Sequence, residues 1–476
     1  MKLSHKKSVA ILFVALIGVG FGIILSPTSK ESIVFAKEPT GGRWMPLVLN
    51  SSDALRVPAP PSRNSQQFNQ EINELRALQS NQTAQVNESI SYWNASASVR
   101  WNEIARSLVM KYNTTPPMAS RVYALLSVAQ YDTLVATWNN KYTYNRSSPH
   151  EIDNTIKPLI ATSADPSYPS DQAAVAATSA EVLSYLYPKE AVWLSKQAAN
   201  HEASQLWAGV SFRSDVVAGM NLGNTVARDV INRAKNDGSN AFWNGTVPTR
   251  PGKWFSSESP PKPPLLPLWG EVKPWLLNKS DEAELMPPPP PVYNSQQFNQ
   301  SLKEVKQISD NRTAKQLQIA QFWADGAGTV TPPGHWNQIA CDLISNYHLN
   351  ELRSARTLAL MNAAMMDTGI HCWNCKYTYW YIRPSQADPT ITTPVGLPNF
   401  PSYVSGHSSF SGAAGEVLSY IFPTERSELQ AKVQEASLSR LYAGIHYRFD
   451  CDQGLKVGRG VAQHAIQHGM NDGSPP

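Results

Sequence analysis

The chain has 476 residues, of which 42% are apolar and 16% charged, with 36 prolines and four cysteines. Such a chain can bury a large core, which excludes both a disordered polymer and a disulfide-built mini-scaffold. The formal charge of +4 rests largely on residues 1–36, with four lysines and one glutamate; the remaining 37 basic and 36 acidic residues form no basic field, and composition speaks against a nucleic-acid partner.

Residues 1–36 read as a targeting segment. Lys2, Lys6 and Lys7 precede an apolar run from Val9 to Leu25, the layout of an export signal, and Val34-Phe35-Ala36 suits cleavage after Ala36. The same run is about long enough to stay as an N-terminal anchor. Either way the rest of the chain is expected outside the cytoplasm, secreted or extracytoplasmic, with a membrane involved only if the segment is uncleaved. Asn-x-Ser/Thr sequons at Asn87, Asn94, Asn113, Asn244, Asn278 and Asn299 fit an exported chain.

The remainder repeats itself. Asn64–Gln70 recurs letter for letter at 294–300, Trp101-Asn102 at 336–337, Lys141–Tyr144 at 376–379, and Asn236–Ser239 at 471–474. The last three share an offset of 235, at which 166–190 and 401–425 agree at 11 of 25 positions. The expected organisation is a first repeat over 37–239, a Pro-rich linker over 240–293 and a second repeat over 294–476. Each repeat opens with a proline strap, Pro58–Pro61 or Pro287–Pro291, expected to pack stiffly across the surface. Apolar spacing predicts helices over 68–80, 98–112, 119–137, 172–187, 191–209 and 215–235, and their equivalents in the second repeat. Strand patterns are scarce. The fold class is therefore all-α, two tandem helical bundles from an internal duplication, the second carrying the site.

The duplication serves as an internal comparison. Lys376, Arg383, Ser405, Gly406, His407, Arg440, His446 and Asp450 form a pattern in the second repeat that the first has largely lost. Lys141 and Asp215 survive there, but Gln172, Gln205 and Ser211 replace His407, Arg440 and His446. The first repeat is therefore read as non-catalytic. Three cations and a Ser-Gly turn feeding a helix suit a tetrahedral oxyanion. Seven residues separate Lys376 from Arg383, which would put them on one helical face. The i, i+4 spacing of His446 and Asp450 would let the carboxylate orient the ring. Gly444 is a candidate bend that brings Arg440 and His446 together. His407 is then the general acid–base group.

The motifs K-x6-R-P (376–384), Ser405-Gly406-His407 and S-R-x5-H-x3-D (439–450) closely resemble the superfamily uniting vanadium-dependent haloperoxidases with type 2 phosphatidic acid phosphatases and class A acid phosphatases. Val404 stands where the family turn usually has proline. Trp373 and Phe400 sit where the fungal chloroperoxidase branch has a Trp and a Phe on the halide side of its pocket. The stretch 322–336 resembles bacterial haloperoxidase-like proteins, and Asp325 is a candidate partner of a site arginine. The resemblance implies vanadate, a cofactor that phosphate competes for, held by Lys376, Arg383, Arg440, Ser405 and Gly406, with His446 as the direct metal ligand. It implies hydrogen peroxide, halide and an organic acceptor as partners, and hypohalous acid as product. The alternative is a secreted acid phosphatase acting on a phosphate ester, with a phosphohistidine at His446 and His407 protonating the leaving alcohol.

Cys341, Cys372, Cys375 and Cys451 all lie in the second repeat, and in an exported chain they are expected to form disulfides, Cys451 with Cys372 or Cys375. His335, His371, His464 and His468 are read as surface or hydrogen-bonding residues.

Overall fold

The computed structural model describes residues 37–475. The expected signal or anchor lies outside the described residues. Fourteen helices longer than two turns form two successive sets of seven. The first set is α1 (Gln66–Ser80), α2 (Ala84–Trp93), α3 (Ala97–Lys111), α4 (Pro116–Tyr144), α5 (Asp171–Leu186), α6 (Ala191–Trp207) and α7 (Arg213–Lys235). The second is α8 (Gln296–Asp310), α9 (Ala314–Phe322), α10 (Thr331–Asn346), α11 (Glu351–Tyr379), α12 (Gly406–Ile421), α13 (Arg426–Tyr442) and α14 (Arg448–Asn471). Among the described residues the one extended pairing is an isolated bridge between Lys253 and Tyr381. No helix there is long and apolar enough to cross a membrane.

The six helices expected in the first repeat are present, and α4 runs on to Tyr144. Helix α2, of ten residues, escaped the sequence reading because it is too short to display a helical apolar period. Starts are set by local chemistry: Ser65, Ser170, Ser295 and Ser405 each accept a backbone N–H three residues on. The two longest helices end on left-handed residues, Asn145 (φ 47°) and Trp380 (φ 49°).

Helices α4 and α11 are buried on almost every face, and they pack against each other. Residues meet their own counterparts across this contact and across the neighbouring one between α3 and α10. Asn102 Nδ2 donates to Asn337 Oδ1 (2.7 Å), Asn362 Nδ2 to Ser127 Oγ (2.9 Å), and Arg106 Nη1 lies 3.4 Å from Cys341 Sγ. Each pair is 235 residues apart. A group that touches its own equivalent sits on a local two-fold axis.

Each long helix also carries a fully buried aspartate at its middle, again 235 apart. Asp132 accepts the N–H groups of Leu47, Val48 and Leu49 at 2.7–2.9 Å. Asp367 accepts those of Trp275, Leu276 and Leu277 at 2.7–3.3 Å. One carboxylate thus satisfies three successive donors of an extended segment. The proline straps are tied by tyrosines: Tyr144 and Tyr168 donate to Val57 and Pro58, and Tyr379 and Tyr403 to Pro287 and Pro288. Residues 252–277 are likewise held down along the second bundle. Trp254 N donates to Trp380 O (2.8 Å) and Leu265 N to Asn399 O (3.0 Å).

Replacing Asp367 with alanine strands three buried N–H groups. The expected cost is about 3 kcal/mol or more, read by chemical denaturation, and Asp367→Asn should recover part of it.

Candidate active site

Four segments converge at one end of the second bundle. Lys376 stands in the last turn of α11. Arg383 does not share that helix: the chain leaves it at Trp380, and Arg383 returns from a loop, its Nε donating to Phe400 O (3.0 Å). The one-face expectation for Lys376 and Arg383 is thus corrected, because the left-handed Trp380 ends the helical register. Ser405 caps α12 and donates its N–H to Asp450 O (2.9 Å), as Ser170 does to Asp215 O (2.9 Å) in the first bundle. The turn is kept although Val404 replaces the expected proline. Helix α13 supplies Arg440. Gly444 (φ 72°) then turns the chain back, and a Cβ there would come within 2.5 Å of Thr392 O. That bend brings His446 beside Arg440.

His446 and Asp450 pair as expected, but not as two positions on one helix. His446 precedes α14, and Asp450 reaches back from its first turn. The Asp450 carboxylate accepts from His446 Nδ1 (2.9 Å), Ser402 Oγ (2.5 Å) and Tyr447 N (3.1 Å). Burial raises Asp450 to about 6, opposed by the Ser402 bond and the Lys376 charge. On the other side of the ring, Arg383 Nη1 lies 3.2 Å from His446 Nε2. A guanidinium can only donate. The ring is therefore the neutral tautomer with Nδ1–H toward Asp450 and a lone pair on Nε2. Burial and the charges of Arg383 and Lys376 hold its pKa well below the usual histidine range.

Lys376 and Arg383 are 0% exposed and Arg440 1%. Among the described residues no carboxylate lies within ion-pair distance of any of the three. Lys376 Nζ donates to the carbonyls of Pro401, Ser402 and Val404 at 2.5–2.9 Å. An anion reaches its ammonium only by exchange with one of them. Arg440 uses Nε on Ser439 Oγ (2.8 Å) and Nη2 on the carbonyls of Trp323 (2.6 Å) and Ala320 (3.2 Å). Burial pushes Lys376 down to about 8 and both arginines to about 10. Burying unpaired cations costs several kcal/mol each, which a bound anion offsets.

A cavity of about 320 Å³ reaches one side of this cluster: Gly406, His407, Arg440 and His446 line its polar side, whereas Lys376, Arg383 and Ser405 are not among its lining residues. A Cβ at Gly406 would meet nothing nearer than the Trp373 ring at 3.8 Å, so the glycine leaves the space free. The N-terminus of α12 opens there, and its dipole favours negative charge. This excess of buried positive charge, the open glycine and the Nε2 lone pair of His446 fit a tetrahedral oxyanion, vanadate or phosphate. His407 Nε2 has no protein partner. Burial and the Arg440 charge keep His407 well below the usual histidine pKa, partly opposed by the Trp323 and Ala324 carbonyls. The other wall is apolar. Trp373 and Phe400 meet at 5.1 Å, Trp373 Nε1 donates to Leu265 O (3.1 Å), and Lys376 Nζ lies 5.1 Å over Phe400.

Some expectations fail. Asp325 lines the cavity but forms no arginine pair: its carboxylate meets His335 Nδ1 at 3.1 Å, while Arg440 Nη2 is taken by main-chain carbonyls. The expected disulfides are absent, and all four cysteines are free and buried. Their sulfurs face different neighbours: Cys372 the Val404 carbonyl, Cys451 the Ser437 carbonyl, Cys375 Met286, Cys341 Arg106. Spacing along the chain does not fix where a thiol points, and a bridge needs paired Cβ atoms. The sequence reading also missed the wall residues Leu265 and Pro116, which come from the linker and the first bundle.

The first bundle shows how the same scaffold loses the site. A cavity of about 180 Å³ occupies the equivalent place. There Asp171 stands for Gly406, and its carboxylate lies 3.1 Å from Lys141 Nζ. Arg146 is bound by Asp215 (2.6 Å) and Glu71 (3.2 Å). Each surviving cation has acquired an internal carboxylate. Calorimetry is therefore expected to find one oxyanion per chain. At an oxyanion concentration of 100 times its Kd, stability should rise by about 2.7 kcal/mol. Molybdate, whose charge is constant above neutrality, should bind more weakly as pH rises through about 8 and the Lys376 ammonium is lost.

Comparison with known proteins agrees with this geometry. A family model described as the VCPO second helical-bundle domain matches residues 425–472. Vanadium chloroperoxidase of Curvularia inaequalis is 29% identical over 141 residues, 23% of this chain and 23% of that protein, so the match spans under a quarter of the relative. Among solved structures, the first bacterial vanadium-dependent iodoperoxidase superposes with a TM-score of 0.64 at 24% identity, covering 78% of this chain and 95% of that one. A holo-type bacterial vanadium-dependent chloroperoxidase gives 0.56 at 14%, covering 76% and 93%. The chain has the fold of the vanadium haloperoxidases, and the resemblance read from the three motifs holds.

Proposed function

We propose that this protein is a vanadate-dependent haloperoxidase, oxidising halide with hydrogen peroxide to hypohalous acid and water. The observation that carries the reading is a neutral histidine, its Nε2 lone pair free of protons, set among three buried cations that lack carboxylate partners. Vanadate, when bound, supplies a Lewis-acid centre that activates peroxide without changing its oxidation state. The chain supplies the rest. His446 Nε2 is the ligand atom, and Asp450 keeps the proton on Nδ1. Arg383, Arg440 and the N-terminus of α12 balance the oxyanion's charge, and Lys376 does so from behind the 401–404 turn. His407 is neutral at ordinary pH, so its unpartnered Nε2 can take a proton from peroxide. The nearby Arg440 charge favours its return. Trp373 and Phe400 keep water from the side where halide would approach.

The same donors would serve phosphoryl transfer, with His446 as nucleophile; the aromatic wall favours the halide reading. The test is a paired assay on phosphate-free protein. Orthovanadate, peroxide and bromide or chloride are expected to halogenate a reporter, and His446→Ala to abolish this. His407→Ala should lower turnover by about 10²–10⁴ while oxyanion affinity stays within a few-fold. Rapid hydrolysis of a chromogenic phosphate ester, inhibited by vanadate and without halogenation, would establish the phosphatase instead. The reading includes export: the mature chain recovered from culture medium is expected to begin at Lys37.

A further inference from the structure

The segment between α9 and α10 lines the cavity through Ala324, Asp325, Gly326 and Ala327 and supplies a main-chain acceptor to Arg440. It contains one non-glycine residue in the left-handed region, Asp325 (φ 44°), and a second, Thr331 (φ 69°), follows it as the first residue of α10. A β-branched residue there is a backbone outlier that the surroundings must hold. The carbonyls of Trp323 and Ala320 accept Arg440 Nη2 at 2.6 and 3.2 Å. Arg440 has no carboxylate partner, so neutral acceptors, two of them from 320–323, set its orientation.

Those carbonyls are held in turn by side chains. Trp323 Nε1 donates to Glu435 (2.9 Å), five residues before Arg440 on α13. One face of its indole is covered by His335, with ring centroids 4.3 Å apart and planes at 16°. His335 Nδ1 meets both carboxylate oxygens of Asp325, at 3.1 and 3.3 Å. The His335–Asp325 pair therefore closes the loop over Trp323 from both ends.

The first bundle lacks this arrangement together with the chemistry. There α2 and α3 are separated by residues 94–96 alone, against 323–330 in the second bundle. Arg100 replaces His335 and pairs with Glu103, and Gln205 replaces Arg440. Trp93 still stacks, but on His201 (4.2 Å). The scaffold folds without a His–Asp latch where no arginine has to be aimed.

We propose that His335 is a positioning residue: through Asp325 and Trp323 it fixes the main-chain carbonyls that aim Arg440 at the oxyanion. The inference rests on the oxyanion reading of the site. His335→Ala should raise the molybdate Kd of the vanadate-free protein about tenfold, and lower vanadate-loaded turnover about 10–100-fold, the usual range for an outer partner. The halide KM and the melting temperature should hardly change. His335→Gln, whose amide can still donate to Asp325, should restore most of both. If His335→Ala does not fold, Asp325→Ala, which keeps the ring on Trp323, carries the same expectation.

Wild-type affinity and turnover in these variants would overturn the proposal while leaving the oxyanion site standing. A loss that follows the melting temperature, with no rescue by glutamine, would overturn it in favour of simple packing. Wild-type protein that binds no molybdate, vanadate or phosphate would overturn both the proposal and the function it rests on.

Discussion

The site depends on Asp450. Its carboxylate joins Ser402, His446 and the Tyr447 N–H, and its carbonyl accepts the Ser405 N–H. One buried residue thus fixes the turn before α12, the His446 ring and the start of α14. It also sets the tautomer of His446, since a carboxylate can only accept. The cations then surround an imidazole whose Nε2 lone pair faces Arg383 Nη1. Asp215 occupies the equivalent position and caps its own helix by accepting the Phe212 N–H, so the architectural part of this role is common to both halves.

What separates the halves is charge balance. Both keep a buried lysine and an arginine near the same end of the bundle. In the first, Asp171 and Glu71 supply internal counter-charges, and the cavity has no need of an anion. In the second, Gly406 leaves the space open and the positive charge remains unmatched. The difference between a structural and a chemical bundle comes down to a few side chains on nearly the same backbone. Their cost is tolerable because the surrounding core is large: α4 and α11 bury almost every face, and Asp132 and Asp367 lock the segments 47–49 and 275–277 against them.

The linker is more than a spacer. Leu265 closes the wall beside Trp373, and Pro116 reaches the cavity from the first bundle. The first bundle and the 240–293 segment therefore complete the pocket's shape.

The sequence by itself determined the helical class, displayed the internal repeat and singled out the side chains that the fold gathers at one end of the second bundle. Helical periodicity and capping residues are local signals, and Lys376, Arg383, Ser405, Gly406, His407, Arg440, His446 and Asp450 converge as their motifs implied. Only the tertiary structure decided how they converge. Lys376 and Arg383 share no helical face because Trp380 breaks the register. His446 and Asp450 meet through a cap rather than across a helical turn. Asp325 turns to His335 instead of an arginine, and the four thiols point apart. Each of these depends on where a loop or a distant helix arrives, and spacing along one chain carries no record of that. The partner of a buried polar group is fixed by closure of the whole fold, which must satisfy every donor and acceptor together.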